Sequence, residues 1–434
     1  MVTIQQGSEE INSNGGIFLI KKMFEGNESL KMLDAEAKKK QIQDSLIVKA
    51  MIGLFTLGKT HFADISAYLQ DELFRDFLAD RMPSEETLRQ RLDALSSKKW
   101  IQDVLDESNV ESLKNYGVFE KERVRSGCYI PLDIDVSPFA NPDCRTEGVE
   151  WTYKQVDGYA PIFAYLGGYE LCAELRPGSQ HSEKGAVEFL GRCAKMIEKL
   201  GIPASMILLR ADSGHDSADF IAAARRFGFK FLIKRNLRKE SREKYLDDAR
   251  SMGYRVKTRK GKKVYRYIDS HSRPEGMEGI PMFKIVEVIV RYTDAETGES
   301  YLIPQLEVDT WWTNLPDSEL ECINLYHAHG TSEQNHSEIK SDIGLELFPS
   351  GKFSTNALLL NIATLAFNAL RTIGRLGIEK APVHYERNRM RLRSVIQNFM
   401  YIACKVVHHA RNTVLVFGRN NVFFPAFKKV FCRC

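Results

Sequence analysis

The sequence has no pair of cysteines at C-x-x-C spacing; its eight cysteines, at 128, 144, 172, 193, 322, 404, 432 and 434, are scattered. That scatter excludes a zinc ribbon and a disulfide frame and implies reduced thiols. The closing Cys432-Arg433-Cys434 offers only two metal ligands and reads as a tail. No run of eighteen apolar residues occurs, so no membrane partner is expected. The opening MVTIQQGSEEINSNGG lacks the basic-then-apolar pattern of a secretory signal, and the expected location is the cytoplasm. There is no internal repeat and no low-complexity segment. The 434 residues leave room for two or three domains, and a hydrophobic share of 43% is that of a globular protein with full cores.

Net charge is also small, at +4, but it is unevenly placed. From Arg371 to Cys434 there are thirteen Lys/Arg against two Asp/Glu, and RSMGYRVKTRKGKKVYR, 250–266, has eight basic residues and no acid. Basic blocks interleaved with aromatic and β-branched residues suit a surface that tracks phosphates, although a solvated charged face has the same composition. Arg255, Lys257, Arg259, Lys260, Lys262 and Lys263 are therefore candidate DNA contacts, on a hairpin expected to turn at Gly261.

Periodicity divides the chain. Residues 1–29 are expected to be a flexible N-terminus. Residues 30–125 read as an all-α domain for DNA binding or dimerisation, with Ser84 capping a helix whose Leu88, Leu92 and Leu95 face a core. At residue 129 the period changes to two: YIPLDIDVSPF places Asp133 and Asp135 on one side of a strand. A hairpin around Gly167-Gly168 follows, then helix, strand (ASMILLRADSG, ending on Asp212), helix and strand (FKFLIKRN). This β-β-β-α-β-α-β order, 126–236, implies an α/β fold with a mixed sheet in which the Asp212 strand lies beside the Asp133/Asp135 strand. Residues 237–317 interrupt it with the basic run and a long hairpin turning near Gly298. Helical patterning returns over 318–375, and 376–434 reads as a basic helical C-terminal region.

The stretch YHAHGTSEQNHSEIK, 326–340, sets Tyr326, His329, Glu333 and Lys340 at spacings of three, four and seven. With LDIDVSPF and LLRADSGH it resembles the Y-R-E-K signature and the two aspartate strands of bacterial insertion-sequence DDE transposases, most closely the insertion sequence 1380 group. Histidine stands where the signature has arginine. The resemblance runs from about residue 80 to the C-terminus. It implies an RNase H-like catalytic core, 126–236 and 318–375, interrupted by a β-rich insertion domain, 237–317.

The implied activity is metal-dependent cleavage at the ends of an insertion sequence and strand transfer into target DNA. The runner-up readings are a structure-selective RNase H-like nuclease and a domesticated, inactive DNA-binding protein. The implied catalytic and metal-binding set is Asp135, Asp212 and Glu333, with Asp133 an alternative to Asp135; Ser137, two residues on, favours Asp135. The cofactor would be Mg²⁺, with Mn²⁺ able to substitute, because paired hard cations held by carboxylates activate the attacking oxygen and stabilise the leaving one. Tyr326, His329 and Lys340 would contact DNA, and Trp311, beside Trp312, would stack on an extruded base. His329, Glu333 and His336 also fall on one helical face and offer a zinc site as an alternative. Partners would be double-stranded DNA, as terminal inverted repeats and target, and further copies of the chain in a homodimer or larger synaptic complex at the nucleoid.

Overall fold

In the computed structural model, which describes residues 2–5, 8–35, 41–142, 145–252, 254–256, 261–294, 296–385, 389–409 and 412–434, the alternating segment at 129–136 lies inside a ten-stranded mixed sheet. Its main strands are β1 (Gly127–Val136), β2 (Ile162–Leu166), β3 (Tyr169–Glu174), β4 (Ile207–Ala211), β5 (Lys230–Lys234), β6 (Tyr254–Val256), β7 (Lys262–Asp269), β8 (Phe283–Thr293) and β9 (Ser300–Thr313). They are ordered β6-β7-β8-β9-β5-β4-β1-β2-β3, and Glu122–Val124 pairs with the start of β1. β1, β4 and β5 run parallel, reached through the helices Ala186–Lys199 and Ala218–Arg226, while β2 and β3 form the antiparallel side. The order read from periodicity is the order found. Gly167 and Gly168, at φ +51° and +85°, supply the left-handed pair that the tight β2–β3 turn needs.

Alternation along β1 decides which side chains meet. Ile130, Leu132, Ile134 and Val136 enter a core with Phe189, Leu190 and Phe220 of the two crossover helices. Asp133 and Asp135 therefore emerge on the opposite face. That face is covered in part by the helix Phe353–Gly377, which is long and apolar enough to cross a membrane but has 94% of its apolar window buried inside the protein.

Four expectations about domains need correction. Residues 1–29 are not a loose tail as a whole: Ile17–Glu25 is a helix with Ile17, Leu19, Ile20 and Phe24 buried. Gly16 lets it dock, since a Cβ there would lie 2.3 Å from the Phe399 carbonyl oxygen. The helices of 30–125 form, with Ser84 Oγ accepting from Thr87 N and the Leu88/Leu92/Leu95 stripe buried, yet they share one core with Phe353–Gly377 and are not a separate domain. The insertion 237–317 likewise continues the main sheet, because Trp311, Trp312 and Thr313 of β9 pair with Lys234, Ile233 and Leu232 of β5. The C-terminal region is not wholly helical: Cys404–His409 and Asn412–Phe417 pair antiparallel, as their valines favour.

Glu170 on β3 is fully buried under that long helix. Its Oε1 accepts from Thr364 Oγ1 at 2.6 Å and its Oε2 has no partner among the described residues. Burial pushes its pKa from 4.5 up to about 8. The folded state therefore binds more protons than the unfolded state between those pH values, and Glu170 makes stability fall as pH rises through that window, then level off. Glu170→Gln is expected to match the parent near pH 5 and to exceed it by about 2–5 kcal/mol at pH 9, read by urea unfolding at both pH values.

Candidate active site

The parallel register of β1 and β4 ends with Ile134 opposite Ala211. Asp135 and Asp212 follow these residues on neighbouring strands, so two acids arise at one level by register alone. Both line a cavity of about 780 Å³, whose wall also carries Glu333, Tyr326, His329, His336 and Lys340. Glu333 lies on the helix Thr331–Ser337 and is exposed. One cavity thus collects the three carboxylates and all three remaining members of the Y-H-E-K spacing.

Histidines orient the aspartates. His336 Nε2 lies 3.2 Å from Asp135 Oδ2, and His336 Nδ1 lies 3.3 Å from the Tyr165 hydroxyl. Burial lowers the His336 pKa, more than the Asp135 charge raises it, so the ring is neutral. A neutral ring donating through Nε2 and accepting at Nδ1 fits both contacts. Burial alone would raise the Asp135 pKa, but the His336 hydrogen bond and nearby histidines leave it lowered and the carboxylate ionised. His215 Nδ1 lies 2.8 Å from Asp212 Oδ1, which also accepts from Gly214 N at 3.1 Å.

Asp133 has a different task. It lies opposite Arg210 in the β1–β4 register and accepts from its Nε and Nη2 at 2.6 and 2.7 Å, with His329 Nδ1 at 2.9 Å. It is buried and does not border the cavity. This clasp engages both of its oxygens. His329 is correspondingly not turned to solvent: burial lowers its pKa, but Asp133 outweighs burial and leaves it raised. Tyr326 is half-buried between the rings of Trp311 and His329, at 5.6 and 5.8 Å. Lys340 Nζ donates to the Pro138 carbonyl oxygen at 2.6 Å, at the cavity edge.

Two sequence readings fail here. Trp311 is 1% exposed in a core with Ile285, Leu315 and Ile323, so no base can reach its face. The single helical face of His329, Glu333 and His336 does not exist, because the helix Glu319–His327 gives way to a 3₁₀ turn, Ala328–Gly330, before Thr331–Ser337 begins. Both ring nitrogens of His336 are engaged. Among the described residues no group of three His, Cys, Asp or Glu converges closely enough to hold an ion, and Asp135, Asp212 and Glu333 share the cavity wall without closing on one. The zinc alternative falls with that face.

Of the basic run, Lys262 and Lys263 do not border the cavity. Lys257, Arg259 and Lys260 lie outside the described residues, as does the Arg255 side chain on β6. Lys262 and Lys263 open β7 after Gly261, at φ +83°, and are half-buried, with Lys263 Nζ 5.0 Å above the Tyr292 ring. Six strand spacings separate β6 from β1, about 29 Å. Sequence reasoning overlooked His215, Arg210 and Tyr153; the turn Asp212-Ser213-Gly214-His215 carried a local signal for the first, and the i−2 position of Arg210 from Asp212 a weaker one for the second.

Two aspartates at adjacent parallel strand ends and a glutamate on a separate helix thus line one cavity. The family model described as transposase DDE domain group 1 matches residues 1–433, and the chain belongs to that family of DDE transposases. Seven chains among solved structures also match. One, from a cryo-EM structure of a piggyBac transposase synaptic complex with hairpin DNA, is 11% identical with a TM-score of 0.43, covering 89% of this chain and 79% of that one. No curated protein matches.

Proposed function

We propose that the chain is a Mg²⁺-dependent DNA transposase with an RNase H-like core, which cleaves the ends of its own insertion sequence and joins them to target DNA. The observation that carries this reading is the placement of Asp135 and Asp212 by adjacent parallel strands in one cavity with Glu333. The donor set suits Mg²⁺ or Mn²⁺: every candidate ligand is a carboxylate oxygen, and the neighbouring histidines are spent on orienting the aspartates. Asp135 and Asp212 would hold the metal from the sheet and Glu333 from the opposite wall. The bound ions would activate the attacking oxygen and stabilise the leaving one. His336 and His215 fix the carboxylates, Tyr326 and Lys340 border the path of the sugar-phosphate backbone, and Asp133, Arg210 and His329 brace the floor.

Adjoining cavities extend that path. Tyr153 and Asp212 are shared with a second cavity, and Glu333 and Ser337 with a third that carries Arg389 and Arg391. A groove with carboxylates midway suits one DNA strand, while duplex DNA flanking it would reach the basic β6–β7 hairpin. Replacing Lys262 and Lys263 by Ala is expected to weaken binding to all sequences alike and to flatten the slope of log affinity against log salt by about two. Purified protein with Mg²⁺ and DNA bearing the flanking repeats should yield ends mapping to the repeat boundaries. Cuts at branch points regardless of sequence would favour the nuclease reading, and bound but uncut DNA the domesticated one. In the transposase reading, two or more copies bring both ends together.

A further inference from the structure

The second cavity, of about 730 Å³, has features that the carboxylate site does not use. Two aromatic rings border it in the open: Trp151 is 61% and Tyr153 62% exposed, whereas Trp311 and Trp312 are buried. This exposure is built in. Glu150–Trp151 pairs with Asp157–Tyr159, Thr152 N donates to the Val156 carbonyl oxygen at 2.9 Å, and Gln155 takes φ +60° to close the turn. The Tyr153 hydroxyl then donates to the Val136 carbonyl oxygen at 3.1 Å, one residue past Asp135. The opposite rim is also fixed: Asn236 N donates to Asp216 Oδ2 at 2.9 Å, and Arg238, at φ +50°, donates its backbone N–H to Asn236 Oδ1 at 3.0 Å. The cavity thus holds aromatic faces, amide groups of Gln180 and Asn236, and the Arg238 guanidinium, with Tyr153 and Asp212 as the wall it shares with the carboxylate cavity.

We propose that this cavity seats one unpaired nucleotide of the strand being cut, its base stacked on Trp151, its edge met by Gln180 and Asn236, and its phosphate by Arg238. Stacking on an exposed ring tolerates any base, which suits a seat for flanking DNA whose sequence varies. The seat would adjoin the reacting phosphate because Tyr153 and Asp212 border both cavities. It rests on the transposase reading, and the test separates the two.

The test compares the affinity of the full chain, in EDTA, for a labelled blunt duplex and for the same duplex with a three-nucleotide single-stranded extension. The extension should strengthen binding by about tenfold or more and quench tryptophan emission. Trp151→Ala should bring the extended duplex down to the affinity of the blunt one and remove the quench, and Trp151→Phe should keep most of the gain. Because Trp151 is exposed on a hairpin rim, neither change threatens the fold. Absence of a gain in the parent, or a gain that survives Trp151→Ala, overturns the seat and leaves the transposase reading standing. Failure of the parent to bind either duplex at low salt overturns both.

Discussion

Asp212→Asn is expected to reduce strand cleavage by about a thousandfold or more while DNA binding stays within a few-fold of the parent. The amide keeps the shape of the side chain and an oxygen that can still accept from Gly214 N, so the turn into His215 survives. What it loses is the negative charge next to the reacting phosphate, and with it the grip on a divalent cation. Binding draws on other groups, since duplex affinity comes from cations spread along the backbone path. Asp135→Asn and Glu333→Gln should behave alike. Cleavage is read on end-labelled DNA and binding by gel shift, and undiminished cleavage by Asp212→Asn would remove Asp212 from the chemistry.

Asp133→Ala should act on the fold, lowering stability by about 3–5 kcal/mol. Arg210 is buried beside it, makes two of its hydrogen bonds to Asp133, and gives a third to the Leu325 carbonyl oxygen at 2.8 Å. Burial pushes the Asp133 pKa up, but Arg210 and His329 hold it at about 2. Its folded value lies below the unfolded 3.8, so this contribution is complete above that pH and is lost as pH falls through about 2. Removing the carboxylate strands a guanidinium whose next acid, Glu122, is 4.0 Å away. The loss should appear as a lower urea midpoint. Asp133→Leu with Arg210→Met should recover most of it, because two apolar side chains leave no buried charge. A midpoint unchanged in Asp133→Ala would mean that the clasp contributes nothing.

The pair at 133 and 135 illustrates how far the sequence could be read. Period-two alternation placed both aspartates on one face of a strand, and the crossover pattern placed Asp212 on its neighbour. The choice between them turns on what lies opposite in register: Arg210 faces Asp133, while Asp135 runs past the last registered pair into the cavity. That pairing is not visible in a linear pattern. The segment YHAHGTSEQNHSEIK reads as one continuous helix because nothing in it marks the 3₁₀ turn at Ala328–Gly330 except Gly330 itself. A tryptophan at the close of a strand is more often core than a stacking surface, and the pairing of its strand with β5 buries Trp311. The domain boundaries were over-drawn for a related reason. A basic, β-rich insertion looks separate in composition, yet its last strand extends the main sheet, and buried helices near both termini join one core.

The central claim is that Asp135, Asp212 and Glu333 hold the metal together, and localised backbone cleavage tests it most directly. Fe²⁺ in place of Mg²⁺, with ascorbate and peroxide, generates radicals that cut the chain only near the bound ion. The account predicts cuts clustered near residues 135, 212 and 333, suppressed by excess Mg²⁺ and absent in Asp212→Asn. Cuts elsewhere, or cuts at these sites that persist in Asp212→Asn, would contradict it.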